Sequence, residues 1–406
     1  NSTSQFSIFT PTHKGDSLLR AFESLKVQTI DDWEWIIIPN NGAKIPEEIC
    51  SDFRVKVFSF PGTTKGVGEL KAFACSKSNA GPKDWLVELD HDDELTPNCL
   101  EDIGKTDTDF AYGNTVLVNS DGTPYFYGEG YGWEYRDFGP KLKEVVLPKP
   151  SPSNFSRIWF APNHVRAWRR EFYKRIGGHD ITMSLADDHD LLCRTFLNGT
   201  ITHIDKPTYI QHMHIDSTWA KNVEAIQTAM WANHEKYFIR MQEQWSKQNK
   251  LRLIDLGGAT NPAAGYEIYD RRNANITGDL EQTWTLLDNS VGLLRAHDIV
   301  EHLKDPIHTM NEAHRVLAHG GVMDILVPST EGEGAFCDPT HKSFWNARSF
   351  RYYTEQAMRK FIEPECVAAF QIVQLRKINM WEGIPYIQAH LLATKSGMRY
   401  HGYRPI

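Results

Sequence analysis

Asp90 and Asp92 stand one residue apart and Asp93 follows directly, so three carboxylates crowd one short stretch. Two aspartates at that spacing can hold a hard divalent cation through oxygen, and such a cation commonly brings a phosphate with it. The acids follow Trp85, Leu86, Val87, Glu88 and Leu89, an apolar run that reads as a buried strand. The carboxyl end of a strand is where an α/β protein places a ligand. A metal–diphosphate site at a sheet edge is therefore the expectation. Asp-x-Asp alone is also common in turns, so the rest of the chain must supply the other parts of a site.

The elements that would position these acids follow from periodicity and turn residues. Residues 6–10 read as a first strand, 17–27 as a helix, 33–38 as a second strand closed by Pro39-Asn40-Asn41-Gly42, and 55–60 as a third. Gly66 and Gly68 precede a helix over 69–78, and 109–117 gives another strand. This alternation predicts an α/β fold with a parallel sheet. Residues 121–152, rich in Gly, Tyr, Pro and Trp, read as loop over the site. A helix is expected over 187–197, then short strands at 202–205 and 208–211. Residues 217–250 carry apolar side chains at helical spacing and read as a helical linker. The pattern then restarts, with strands at 251–256, 266–269, 291–296 and 322–327. The expected domains are 1–216, a linker over 217–250, and 251–406.

Composition narrows the classes. The formal net charge of −8 argues against non-specific nucleic-acid binding, which depends on cationic side chains. The 12 Trp, 15 Tyr and 20 Phe suit sugar faces, but aromatics dominate ordinary cores as well. No apolar stretch approaches the roughly 20 residues that span a bilayer. The first residues lack a signal-like pattern, and the six cysteines contain no Cys-x-x-Cys pair. A reducing, cytoplasmic setting without disulfides is the expectation. An oligomer is compatible with the sequence.

Several motifs follow one another in a known order. Pro11-Thr12-His13-Lys14 comes after the first strand, Asn40-Asn41-Gly42 after the second, then Asp90-His91-Asp92 and Gly177-Gly178. Ala186-Asp187-Asp188-His189-Asp190-Leu191 with Arg194, and His212-Met213-His214, complete the series. This stretch resembles the family 2 glycosyltransferases, inverting enzymes of GT-A fold that use a nucleotide-diphosphate sugar and Mn2+ or Mg2+. The family's Asp-Asp-Gly stands here as Asn40-Asn41-Gly42, where asparagine donates as well as accepts.

The resemblance implies the roles. Asp92 is the direct metal ligand, Asp90 lies nearer the ribose or a metal-bound water, and His214 supplies the metal's nitrogen, with His212 in reserve. Asp188 is the base that deprotonates the acceptor, with Asp187 beside it. Asp187 and Asp190 are expected to raise the pKa of Asp188. By itself, an acid pair is also what a helix N-terminus favours. Thr10, Pro11, Thr12, Asn40, Asn41, Lys71, Asp90 and His91 are expected on the donor, and Trp159, Asn163, His164 and Arg166 on the acceptor side. The implied activity is sugar transfer from a UDP-sugar to a hydroxyl, such as that of a glycan. The alternatives are a non-catalytic nucleotide-sugar-binding module, or a glycan methyltransferase whose first domain only recruits substrate.

The second of those alternatives comes from the other half. Asp255-Leu256-Gly257-Gly258-Ala259, Pro262, Gly265-Tyr266 and Asp270 are followed by Gly278-Asp279-Leu280. His297-Asp298-Ile299-Val300-Glu301-His302-Leu303 and Asp338-Pro339-Thr340-His341 come next. This half resembles class I S-adenosylmethionine-dependent methyltransferases, which implies a Rossmann-like domain. Asp255, Gly257, Asp270 and Asp279 are the implied contacts to S-adenosylmethionine. Ala259 replaces an expected glycine, which adds a methyl group where the backbone would approach the cofactor.

Overall fold

The computed structural model describes residues 3–128, 132–157, 162–214 and 222–395. The chain forms two compact units, and the division falls between Phe238 and Ile239, inside the helix Val223–Gln248.

The first unit is built on β1 (Phe6–Thr12), β2 (Trp33–Pro39), β3 (Val55–Val57), β4 (Trp85–Glu88), β5 (Glu94–Leu95), β6 (Phe110–Val118), β7 (Glu134–Phe138), β8 (Leu142–Val146), β9 (Arg166–Arg169) and β10 (Ile201–His212). The strand order is β3-β2-β1-β4-β9-β6-β10-β5, with β8 on β6 and β7 on β8. β1 to β4 pair in parallel. Residues 33–38 of β2 are buried, as an apolar strand covered on both faces should be. The helix Leu18–Lys26 buries Leu18, Ala21, Phe22 and Leu25, the spacing of one helical stripe. Trp35, Trp85 and Val87 lie in the same core, so the strand that leads to Asp90 is rigidly held.

Three expectations change here. The sheet is mixed rather than parallel, because β9 runs antiparallel between β4 and β6. Residues 121–152 hold the hairpin β7–β8, whose Glu-Tyr-Arg-Asp-Phe strand has no apolar alternation to reveal it. The two short strands over 202–211 are one strand, β10, with register shifts around Pro207, which has no N–H to donate to a ladder.

The second unit contains β11 (Arg252–Leu256), β12 (Glu267–Asp270), β13 (Ile276–Thr277), β14 (Val291–His297), β15 (Leu317–Pro328), β16 (Phe370–Asn379) and β17 (Pro385–Ala393). Their order is β13-β12-β11-β14-β15-β17-β16. β11 lies between β12 and β14, both parallel to it. The chain reverses its direction of winding there, which opens a crevice at the strands' carboxyl ends. The antiparallel pair β16–β17 was not anticipated. All six cysteines are free thiols. Among the described residues, no helix is long and apolar enough to cross a membrane.

Candidate active site

The acidic turn after β4 is pinned from below by Asp93. This residue is buried and accepts hydrogen bonds from the Tyr209 hydroxyl at 2.9 Å and the His212 N–H at 2.8 Å. The Asp90 N–H donates to the same Tyr209 oxygen at 3.0 Å. One phenol therefore ties the turn to β10. Burial, with Asp90 and Asp92 adding negative charge, pushes the Asp93 carboxyl well above the usual range.

This tether sets the histidines at the end of β10 and just beyond it, His212 and His214. His214 Nε2 lies 3.2 Å from Asp92 Oδ2. His212 turns instead to Glu94, at 2.7 Å. His91 Nε2 is 3.8 Å from Asp92 Oδ2, its Nδ1 is 3.0 Å from the Thr12 hydroxyl, and its ring packs on His13. Burial lowers the His91 pKa and favours the neutral imidazole. Asp92, half-buried and facing His214, forms an oxygen–nitrogen pair suited to a divalent cation.

Beneath Asp90 lies a buried ionic network. Glu88 is fully buried. It pairs with the Lys71 ammonium, with His164 Nε2 at 3.0 Å and with the Arg166 guanidinium at 3.8 Å. Asp90 is 3.6 Å from both Lys71 and His164. Burial opposes the Glu88 charge, but Lys71, His164 and Arg166 outweigh it and hold the carboxyl well below its ordinary value. Glu88, Asp90 and His164 are close enough together to hold a metal, yet protein cations already neutralise this corner.

Arg166 carries the network to the acid pair. Its guanidinium is 3.0 Å from Asp188 Oδ2. Asp187 and Asp188 open the helix Asp187–Asn198. Burial would raise the Asp188 pKa, but Arg166 and Lys71 pull it below its ordinary value. Asp187 goes the other way, to about 7, through burial and the Asp188 charge. Asp190 faces Arg194 and the Tyr237 hydroxyl. The expected rise at Asp188 is thus overturned by the guanidinium beside it, and the rise falls on Asp187. A side chain at Gly68 would collide with the Asp187 carboxyl.

Other donor-side expectations also shift. Thr10 is buried, donates to the Leu89 carbonyl at 2.6 Å and accepts from Trp35 Nε1 at 2.8 Å. Thr12 is buried between His91 and the Lys14 N–H. Lys71 is engaged by Glu88. These three hold the edge through internal partners. Pro11 is half-buried beside them and Asn41 is exposed. Asn40 Oδ1 is shielded from solvent and has no hydrogen-bond partner among the described residues. On the acceptor side, Asn163 donates to Gln211 at 2.8 Å, and His164 is buried under Asp90. Trp159 lies outside the described residues.

In the second unit, Gly257 has φ 69°, and a side chain there would meet Ile299, so glycine is required. Asp255 is fully buried, with its oxygens on Arg295 at 3.0 Å and on the Ala263 N–H at 3.0 Å. These bonds hold the loop after β11. Asp270 ends β12 and accepts from the Ala259 N–H at 3.3 Å. Asp279 is paired with Arg271 at 2.8 Å.

Residues 7–177 match the family described as glycosyl transferase family 2, and residues 249–325 match one described as methyltransferase domain. The chain joins a family 2 glycosyltransferase domain to a methyltransferase domain. Among solved structures, the glycosyltransferase domain is similar to S. aureus TarS 1-349 in complex with UDP. Identity is 15%, over 60% of this chain and 70% of that chain, with a TM-score of 0.43. The mannosyltransferase PcManGT from Pyrobaculum calidifontis, in complex with GDP-Man and Mn2+, is 12% identical over 59% of this chain and 65% of that one, TM-score 0.35. The methyltransferase domain is similar to a putative methyltransferase in complex with Haloferax volcanii Trm112. That chain is 15% identical, over 37% of this chain and 85% of its own, TM-score 0.29. No curated protein matches.

The residues that motif order did not flag are Glu88 and Tyr209. Glu88 had a visible signal, a lone charge inside the apolar run 85–89. Tyr209 had none.

Proposed function

We propose that the family 2 domain transfers a sugar from a nucleotide-diphosphate donor, UDP-linked, to a hydroxyl acceptor, with inversion at the anomeric carbon. One observation carries this reading: Asp188, Arg166, Glu88, His164 and Asp90 form one ion-pair network, and the Asp92–His214 pair stands on the same turn, two residues beyond Asp90.

Asp92 and His214 would hold Mn2+ or Mg2+. When bound, the metal supplies Lewis-acid neutralisation of the departing diphosphate. Asp188, kept ionised by Arg166, takes the proton of the acceptor hydroxyl as that oxygen attacks the anomeric carbon. The bond from that carbon to the diphosphate oxygen breaks, and its electron pair leaves with the diphosphate. Arg166 orients Asp188 and is a positioning residue. The unpartnered Asn40 Oδ1 supports a contact to a donor group on the base. In the methyltransferase domain, Asp270 at the end of β12 supports a contact to the ribose of S-adenosylmethionine.

The test is incubation of the full chain with a panel of nucleotide sugars and Mn2+. Hydrolysis or transfer from one donor supports the reading. Silence across the panel, with one donor still bound, turns it into a binding module instead.

A further inference from the structure

Beyond the carboxyl end of β14, the short turn Val300–His302 brings Glu301 and His302 against His341. The Glu301 carbonyl accepts the N–H groups of Lys342 at 2.7 Å and Ser343 at 3.0 Å, and the Ser343 hydroxyl donates to the Val300 carbonyl at 2.9 Å. Two segments distant in sequence are thus clamped together. One donor atom from each of Glu301, His302 and His341 lies within 4.8 Å of the other two.

The hydrogen bonds around the imidazoles fix which nitrogen is available. His341 Nδ1 is 2.8 Å from the Ala335 carbonyl, which can only accept, so Nδ1 carries the proton. The Thr340 hydroxyl donates its single hydrogen to Asp338 at 2.7 Å. Its oxygen therefore accepts from His302 Nδ1, 3.0 Å away. In the neutral ring each is therefore the Nδ1–H tautomer, which leaves Nε2 with the lone pair; His341 Nε2 lies 3.7 Å from Asp338 Oδ2. This is how metal-binding histidines are oriented, with the second nitrogen donating to a carbonyl or other oxygen. His302 Nε2 lies 3.9 Å from Glu301 Oε1. Glu301 is 2% exposed, and its Oε2 has no hydrogen-bond partner among the described residues. An unpartnered buried carboxylate oxygen is costly, and a cation would satisfy it.

We propose that Glu301, His302 and His341 form a binding site for a borderline divalent cation of the Zn2+ class. Two imidazoles and one carboxylate suit such an ion better than Mg2+ or Ca2+, which take oxygen ligands. Three protein ligands are the number that leaves a coordination position open, where structural zinc sites have four. The open position would take a water or hydroxyl oxygen, and His302 on its half-exposed side leaves a path to it. In a tetrahedral zinc site, donor atoms lie about 3.3 Å apart, so small side-chain movements close the cluster.

Cobalt is the probe, because its visible absorption reports coordination. The full chain carrying Asp92→Ala, which removes the Asp92–His214 pair, is stripped with chelator and titrated with Co2+. About one equivalent with ligand-field bands is expected, displaced by Zn2+ and not by roughly hundredfold excess Mg2+. In the same background, His302→Ala and His341→Ala should each weaken binding at least about tenfold. The metal-free melting temperature checks that both variants fold, and Glu301→Gln provides a third reading. Absence of ligand-field bands in the folded protein overturns the proposal. So does binding that His302→Ala and His341→Ala leave unchanged.

Discussion

Asp188 and Asp187 are neighbours in sequence but opposites electrostatically. Burial would raise the Asp188 pKa, but Arg166 holds it below its ordinary value, whereas Asp187 is pushed to about 7. Asp188→Asn should lower transfer by about a hundredfold to ten-thousandfold, the usual range for a general base, with donor affinity unchanged in calorimetry. Unaltered turnover would discard Asp188 as the base. Asp187 makes a separate claim about stability. Its folded pKa lies above the unfolded value, so the folded state binds the extra proton between about pH 4 and pH 7. Stability therefore falls as pH rises through that window. Asp187→Asn removes this loss, and at pH 8 it should stabilise the protein by ~1–3 kcal/mol. Melts at pH 5 and pH 8 check this; the gain must shrink towards pH 4. The acid pair was legible as a motif. Its charge states were not, because Arg166 meets Asp188 only through the fold.

The turn after β4 depends on one phenol. Tyr209 receives the Asp90 N–H and donates to Asp93, so it fixes the edge that presents Asp92. Tyr209→Phe should cost ~1–3 kcal/mol, because Asp93 and Asp90 lose a buried partner. It should also weaken Mn2+ binding, measured by titration; unchanged metal affinity would separate Tyr209 from the site. Asp92→Ala should abolish metal-dependent donor binding. Most strands were readable where apolar runs are buried on both faces, as in β2. β7 was not, since Glu-Tyr-Arg-Asp-Phe has no apolar alternation. The continuity of β10 was hidden by Pro207, which reads locally as a break.

Across the whole chain, two α/β units were readable because the strand–helix alternation stops near residue 217 and restarts near 251. The mixed direction of the first sheet was not readable, because pairing partners such as β4 and β9 are far apart in sequence. The two units call for two measurements on the intact protein. Chelation should silence sugar transfer, and added Mn2+ should restore it; transfer that survives exhaustive chelation would remove the metal from the mechanism. Calorimetry with S-adenosylmethionine tests the other unit. Heat and a thermal shift are expected through Asp270, and neither signal would appear if the loop at Ala259 bars the cofactor.

Gly68 and the Asp187 carboxyl occupy adjoining space, with no room for a methyl group between them. Evolution cannot treat these positions independently. In descendants that keep the acid, position 68 should stay glycine even where the surrounding helix drifts. A lineage that abandons catalysis and shortens residue 187 should be freed to accept alanine there, so the pair could serve as a genetic marker for loss of activity.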